Sequence, residues 1–382
     1  MLKSIYIESL FGLYTYQLDI MPDGSEPIRF ITGPNGYGKT TILRILHSIY
    51  TCNIKSLADI RFTSLQLSFS DGYIIKVTQE IHTEEETNSD EDVLRNINLN
   101  ISLYKGTDDS TPTVLSWNSN EATDISTQLL NIKLYLDSTP LYYLSDGRLV
   151  DSNGEAAIND DAVKMKELLT NAHNRINDAL SARVSSQNAD VSEEEYYRLK
   201  NKLEDDINIL IWSGLLKDNP LIDFDKNNIV YFSALSQSVK ECMEIEQPLI
   251  LKLRSLKNII SKADFANKQL EVDKTYGFRF RANNEERTII FGNMLSSGEQ
   301  QTLIMTVELL FFAPDESLVL IDEPEISCHM MWQMDFLTNL RDITKLRQLQ
   351  CIVCTHSPQI FSSNWGMTVD LFTQASKKQE QP

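Results

Sequence analysis

The stretch "GPNGYGKTT", residues 33–41, decides the fold of this chain. It fits the pattern G-x-x-x-x-G-K-[ST] of a phosphate-binding loop, whose backbone N–H groups surround a phosphate group while its lysine reaches the same oxygens. Such a loop needs a strand before it and a helix after it. "PIRFITG" predicts the strand, and the apolar residues that follow the loop are spaced i, i+3, i+4 and i+7, as in a helix. The candidate phosphate-binding residues are Gly33, Pro34, Asn35, Gly36, Tyr37, Gly38, Lys39, Thr40 and Thr41.

The composition predicts a packed globular protein with an acidic surface. The 382 residues are enough for two domains or for one large domain with an insertion, and 42% of them are hydrophobic. The formal net charge of −19 repels phosphate backbones, so we expect no tight non-specific binding of nucleic acid by the whole surface. A local basic groove or a basic protein partner stays open. No apolar run is long enough to span a membrane.

The five cysteines indicate a reducing cytoplasm, because their number is odd and their positions are scattered. Cys351 and Cys354 lie in the apolar stretch "QCIVCTHS", where the pattern favours buried thiols over a metal or redox site.

The remaining patterns predict antiparallel strands followed by an inserted helical hairpin. "SIYIESL" and "YTYQLDI" form one predicted hairpin, and a second is centred on Asp71-Gly72. Two apolar stripes, within residues 165–180 and 199–210, predict the two helices, and Ser192 with Glu195 predicts a capping box. Further predicted strands are "INLNISLY", "IKLYLD" and "IVYFSAL". The acidic stretch 80–92 is interpreted as a solvated loop, with an acidic docking loop as the alternative.

Four further pieces follow in order near the C-terminus. They are "LSSGEQQ" (295–301), "SLVLIDEPE" (317–325), "ISCH" (326–329) and the strand-like "CIVCTHS" (351–357). Each piece alone is common in proteins, but their order after a phosphate-binding loop is hard to produce by chance.

With these pieces the chain resembles the ABC-type ATPases of the SMC/RecF/OLD branch, over residues 1–80 and 285–365. The resemblance implies an α/β fold: an ABC ATPase head with a mixed sheet, an antiparallel N-terminal β subdomain and an inserted helical hairpin subdomain. It divides the chain into an N-terminal head part with the Walker A loop (1–150), a mainly helical insertion (151–284) and a C-terminal head part (285–382).

The resemblance also assigns roles to residues, with ATP and Mg²⁺ as cofactors. Lys39 would neutralise the β- and γ-phosphate oxygens, and Thr40 and Asp322 would hold the metal. Glu323 would activate water, and His356 would contact the γ-phosphate. The signature residues would act on the ATP of a second subunit, which implies a head-to-tail homodimer at least; they are Ser296, Ser297, Gly298 and Glu299.

Two positions depart from the family pattern. Cys328 stands where relatives usually have leucine after the Walker B strand. The glutamine that completes the magnesium site stays unassigned, because the candidates Gln66 and Gln79 both fall on predicted strands.

Among such ATPases, a transporter subunit fits poorly. Transporter subunits have a shorter segment between the phosphate-binding loop and the signature, whereas residues 42–294 separate the two here. The sequences of the C-terminal motifs look most like those of ATPases from the Septu, PARIS and retron anti-phage systems. That resemblance implies a sensor or switch subunit with a phage-derived trigger and a separately encoded effector, for which a nuclease is expected. OLD-type relatives carry a nuclease domain after the histidine that corresponds to His356. Too few residues follow His356 here for such a domain, so the nuclease is expected to be a separate chain. The alternatives are a RecF- or SMC-like DNA-repair ATPase and a scaffold that binds ATP without useful turnover.

Overall fold

A computed structural model describes residues 1–83, 95–106, 113–119, 126–150, 156–181, 191–263 and 265–379. The chain divides into two compact units, one of Met1–Asp146 with Ala313–Pro382 and one of Gly147–Phe312. The three-part division at residues 151 and 285 stays a prediction. Most of the acidic stretch 80–92 lies outside the described residues.

The helices and strands are numbered in chain order. The strands are β1 Leu2–Leu10, β2 Tyr14–Asp19, β3 Ile28–Thr32, β4 Ser64–Phe69, β5 Tyr73–Thr83, β6 Arg95–Lys105, β7 Thr113–Asn118, β8 Leu141–Leu144, β9 Lys268–Asp273, β10 Gly277–Ala282, β11 Ile289–Ile290, β12 Leu318–Asp322, β13 Gln350–Cys354 and β14 Thr368–Asp370. The helices are α1 Lys39–Tyr50, α2 Ile54–Ala58, α3 Ser126–Asp137, α4 Ala157–Ser181, α5 Glu193–Trp212, α6 Ile229–Lys262, α7 Ser297–Val307, α8 Met330–Arg347 and α9 Leu371–Gln379.

The first unit contains an antiparallel sheet with the strand order β2-β1-β4-β5-β6-β7. Its hairpins are those predicted around residues 11–13 and around Asp71-Gly72. Alternating apolar residues of β1 and β4 point into the core, since successive side chains of a strand face opposite sides. This sheet is the antiparallel β subdomain predicted from the sequence.

The first unit also contains a parallel sheet with the strand order β14-β3-β13-β12-β8. Every pairing in it is parallel, and β12 and β13 are buried along their whole length. Such strands are apolar throughout because both of their faces are covered. In parallel sheets the carboxyl ends of the strands meet at one edge, which is where ligands bind. The predicted mixed α/β fold is confirmed.

Two predicted strands are wrong, because both segments are helical. "IKLYLD" belongs to α3, where Ile132 and Leu136 are buried but Leu134 between them is 59% exposed. "IVYFSAL" belongs to α6, where Phe232 is buried while Val230 is 74% exposed. Four-residue spacing of the buried side chains is the helical period, and short apolar runs do not distinguish it from the strand period.

The second unit is a helical subdomain with a small sheet. Helices α4 and α5 both pack against the 34-residue α6, and β9, β10 and β11 form an antiparallel sheet. The predicted stripe of α4 is buried, and the capping box between Ser192 and Glu195 is present. Helix α7 continues into a π-helical segment, Glu308–Phe312. No helix of the described residues is long and apolar enough to cross a bilayer.

Candidate nucleotide-binding site

The phosphate-binding loop connects β3 to α1 through glycines with left-handed backbone angles. Gly36 and Gly38 have φ of 83° and 88°, a conformation that other residues adopt only with strain. A Cβ on Gly38 would also lie 2.8 Å from Leu10 Cδ2, closer than such atoms approach. The loop backbone therefore has its shape because glycine stands at these positions.

Lys39, the first residue of α1, is buried inside this loop. Its Nζ donates to the carbonyl oxygens of Gly33 at 2.9 Å and Pro34 at 3.3 Å, and it lies 3.5 Å from His356 Nδ1. Desolvation lowers the pKa of Lys39, and the carboxylates nearby oppose that effect. The loop thus holds a desolvated cation at the start of α1, where positive charge favours an anion.

Asp322, at the end of β12, is fully buried and lies against the loop. Its Oδ1 accepts from the Thr40 hydroxyl at 3.2 Å, and its Oδ2 accepts from the Tyr143 hydroxyl at 3.4 Å. Burial and the Asp322 carboxylate raise the pKa of Tyr143. A hydroxyl and a carboxylate that face each other are hard oxygen donors, so the pair fits a Mg²⁺ ion held directly or through water.

Glu323 and His356 stand at the ends of the adjacent strands β12 and β13. His356 Nε2 lies 3.3 Å from Glu323 Oε1, and both side chains are about one-third exposed. Glu323 has a φ of 43°, which is a strained conformation for a non-glycine residue, and its N–H donates to the carbonyl of Cys354. The sheet register therefore fixes the carboxylate at the edge of the loop.

Glu325 is a residue of this site that the sequence reasoning missed. Its Oε1 accepts three hydrogen bonds, from the Thr355 hydroxyl at 2.7 Å, the His356 N–H at 2.6 Å and the Ser357 N–H at 3.1 Å. It therefore holds the segment that carries His356. The signal was the third carboxylate of "DEPE", but nothing in the sequence says that it reaches residues 355–357.

Eight of the predicted residues share one cavity of about 190 Å³. It is lined by Phe11, Asn35, Gly36, Gly38, Lys39, Thr40, Thr41, Glu323 and His356. Gly33, Pro34, Tyr37 and Asp322 do not line it, and the Tyr37 ring stacks on Tyr14 at 5.1 Å between centroids. Phe11 was not predicted; it enters the cavity from the turn between β1 and β2, more than twenty positions before the loop in the sequence.

The signature residues lie in the second unit, at the start of α7. Ser296 is the N-cap: its Oγ accepts from the Glu299 N–H, and Glu299 Oε2 accepts from the Ser296 N–H and hydroxyl, both at 2.9 Å. Lys268 of β9 donates to Glu299 Oε1 at 2.6 Å. Burial alone would raise the pKa of Glu299, but the hydrogen bonds from Lys268 and Ser296 outweigh it, and the pKa is lowered. Ser296 and Ser297 are exposed, so the start of this helix is open to a binding partner.

Neither candidate for the glutamine of the magnesium site lines the cavity. Gln79 lies on β5, and its buried amide bonds the Phe62 N–H and the carbonyls of Ala58 and Ile60. Gln66 lies on β4 and does not line the cavity. The predicted buried thiols are confirmed for Cys351 and Cys354, and Cys328 is also buried.

A glycine-rich loop and a buried aspartate at the carboxyl edge of a parallel sheet define a P-loop nucleotide-binding protein. The chain belongs to the AAA ATPase domain family, whose model matches residues 1–361. The ATPase class predicted from the motifs is thereby confirmed.

Individual relatives are distant. Protein ea59 of Escherichia phage lambda is 26% identical over 136 residues, a match that covers 31% of this chain and 25% of that protein. The chain thus spans about a quarter of the length of this curated relative.

Two solved structures are similar at low identity. The SmcHead bound to the C-winged helix domain of ScpA is 12% identical, with 94% of this chain and 91% of that chain covered and a TM-score of 0.41. The Smc head domain with an extended coiled coil, bound to the C-terminal domain of ScpA derived from Pyrococcus furiosus, is 13% identical with the same coverage and a TM-score of 0.38.

Proposed function

We propose that the protein binds and hydrolyses ATP, and that it does so as a sensor or switch subunit of a cytoplasmic anti-phage complex. The observation that supports hydrolysis is the joint position of Lys39, Thr40, Glu323 and His356 around one cavity. A loop that only bound nucleotide would not need a carboxylate and an imidazole beside the lysine. This arrangement also argues against the scaffold alternative.

In the proposed reaction, water attacks the γ-phosphorus of ATP and the bond to the β-γ bridging oxygen breaks, so that ADP leaves. Glu323 Oε1 accepts the proton of that water, and His356 contacts the transferred phosphoryl group. Lys39 exchanges its carbonyl partners for phosphate oxygens, which are stronger acceptors. Thr40 and Asp322 would hold Mg²⁺, which supplies charge neutralisation at the β- and γ-phosphates when bound.

The second part of the proposal is a head-to-tail homodimer in which Ser296 of one copy serves the ATP of the other. A helix N-terminus with an exposed N-cap serine offers free N–H groups and a positive dipole end to a phosphate. The resemblance noted above suggests that this phosphate belongs to the second copy.

Two single variants test these roles. Glu323→Gln keeps the shape and the hydrogen bonding of the side chain but loses the base. ATP should still bind and hold the dimer together, while hydrolysis falls by roughly 10²–10⁴, the usual contribution of general acid–base catalysis. Ser296→Arg should also stop hydrolysis, because it places bulk and charge at the helix start.

Mixing Ser296→Arg with Lys39→Ala decides whether the signature acts in trans. In a mixed head-to-tail dimer one composite site carries both lesions and the other carries neither, so activity should reappear relative to either variant alone. Absence of recovery under subunit exchange, together with no ATP-dependent dimer of Glu323→Gln, would overturn the trans assignment.

The anti-phage role rests on the residues of the C-terminal motifs, and it includes a separately encoded nuclease as the effector and a phage-derived trigger. The neighbouring gene tests it: an adjacent nuclease reading frame supports defence, and a replication or repair operon supports the DNA-repair alternative. Affinity for DNA is a second test. With a net charge of −19 we expect weak, strongly salt-dependent binding, and a sub-nanomolar affinity at physiological salt would favour repair.

A further inference from the structure

The second unit contains a cavity of about 390 Å³ that no step of the proposed ATP reaction uses. It lies where α5 ends, beside the last turns of α6 and the start of β9. Its lining combines two cations, an indole ring and side-chain amides, among them Trp212, Lys257, Asn267, Lys268, Gln269 and Asn283. The volume is within the range of pockets that hold small organic ligands.

The chemistry of this lining fits a ligand with both an anionic group and an aromatic ring. Lys257 Nζ lies 5.2 Å from the centre of the Trp212 ring, so a positive charge and an aromatic side chain are adjacent on one wall. Lys268 supplies the second cation, and its side chain is only 19% exposed. Two lysines bind a phosphate group, an indole stacks on a base, and amides bond the polar edge of that base.

Lys268 also connects this cavity to the signature helix. Lys268 lines the cavity, and its ammonium donates to Glu299 Oε1; Glu299 Oε2 in turn accepts from the Ser296 N–H and hydroxyl. The Lys268 charge therefore offsets the Glu299 carboxylate at the helix start. Without that cation the Glu299 carboxylate would place an unbalanced negative charge beside the N–H groups that are to bind a phosphate. The carboxylate and the phosphate would then repel each other.

We propose that this cavity binds a nucleoside phosphate, with the phosphate group on Lys257 and Lys268 and the base against Trp212. The bound phosphate competes with Glu299 for Lys268, so occupation weakens the phosphate affinity of the signature helix start. The binding site stands on the lining alone, whereas its effect on ATP turnover rests on the function proposed above.

The binding experiment uses the full chain with Lys39→Ala, so that the phosphate-binding loop does not contribute, and titrates adenosine 5′-monophosphate by calorimetry. We expect a Kd below about 1 mM, and an affinity about tenfold or more lower when Lys257→Gln is added, the loss expected for one charge-assisted hydrogen bond. Lys262→Gln is the matched control, because Lys262 is an exposed lysine in the last turn of the same helix that does not line the cavity. Adding Lys262→Gln should leave the affinity for adenosine 5′-monophosphate unchanged.

Two ligand controls separate the parts of the proposal. Adenosine and inorganic phosphate should each bind more weakly than the monophosphate. If inorganic phosphate binds as tightly, the base makes no contact and the nucleotide assignment is overturned. No binding at several times the expected Kd, or equal binding by Lys257→Gln and Lys262→Gln, overturns the site itself.

The coupling to the signature is measured separately, as the rate of ATP hydrolysis by the otherwise unchanged chain. The monophosphate should slow hydrolysis at saturating ATP, and Lys257→Gln should relieve this inhibition. Equal inhibition of both proteins would show that the monophosphate acts at the phosphate-binding loop, and the coupling would be wrong. A chain with no ATP hydrolysis at all contradicts the proposed function, while the calorimetry still decides the site.

Discussion

Replacing Glu325 with alanine removes an oxygen that bonds each of the residues 355–357. The Thr355 hydroxyl, which is fully buried, and the His356 N–H lose this acceptor, whereas the Ser357 N–H keeps a second one, the Thr355 hydroxyl at 3.0 Å. A buried donor left without a partner costs about 1–3 kcal/mol, and the His356 N–H bond contributes about 1 kcal/mol net. We therefore expect Glu325→Ala to lower the free energy of unfolding by about 2–4 kcal/mol.

Glu325→Gln is the matched control, because its amide oxygen can take the place of Oε1 and accept the same three bonds. Its amide nitrogen then takes the position of Oε2, which has no hydrogen-bond partner among the residues that the structure describes. We expect this variant to lose no more than about 1.5 kcal/mol, the net worth of an ordinary hydrogen bond.

Urea unfolding of both variants measures the difference, and hydrogen exchange locates it. In Glu325→Ala the amide of His356 should exchange about 10–100 times faster, since its acceptor is gone, whereas Glu325→Gln should keep most of its protection. If the two variants are equally stable, or if this amide exchanges at the unchanged rate, the carboxylate does not hold the His356 segment.

Three further substitutions probe the loop and the second unit. Lys39→Ala should abolish ATP binding or turnover in a nucleotide-binding and phosphate-release assay, because it removes the charge opposite the β- and γ-phosphates; near-normal activity would make the loop structural. Gly38→Ala should cost about 1–3 kcal/mol in thermal unfolding and weaken nucleotide binding, since φ is 88° and the new Cβ meets Leu10; a fully active, equally stable variant would contradict the steric argument. Burial raises the pKa of Glu308 from 4.5 to about 7, so the folded chain binds this proton more tightly than the unfolded chain does. The stability that proton binding contributes is fully present below pH 4.5 and is lost as the pH rises through 7. Glu308→Gln should therefore be more stable than the unchanged chain by about 1–3 kcal/mol at pH 8, and its free energy of unfolding should depend less on pH. If urea unfolding shows the same change in the free energy of unfolding between pH 5 and pH 8 for both proteins, Glu308 does not titrate in this range.

Local spacing was enough to predict the parts of this protein whose structure depends on neighbouring residues. The loop at residues 33–41, the hairpin turn at Asp71-Gly72 and the capping box at Ser192 each need only a few consecutive side chains and backbone groups. For the same reason the prediction failed for "IKLYLD" and "IVYFSAL", because six or seven apolar and polar residues fit both the helical and the strand period until packing selects one.

The site itself was decided by the tertiary structure. The sequence named Lys39, Asp322, Glu323 and His356, but only the parallel pairing of β3, β13 and β12 brings their strand ends to one edge of the sheet. The three hydrogen bonds of Glu325, the approach of Phe11 to the loop and the Lys268–Glu299 pair also join residues that are far apart in the chain or that no motif marks. Motifs record which chemistry a residue can perform, whereas distances between such residues follow from strand register and core packing, which depend on the whole chain at once.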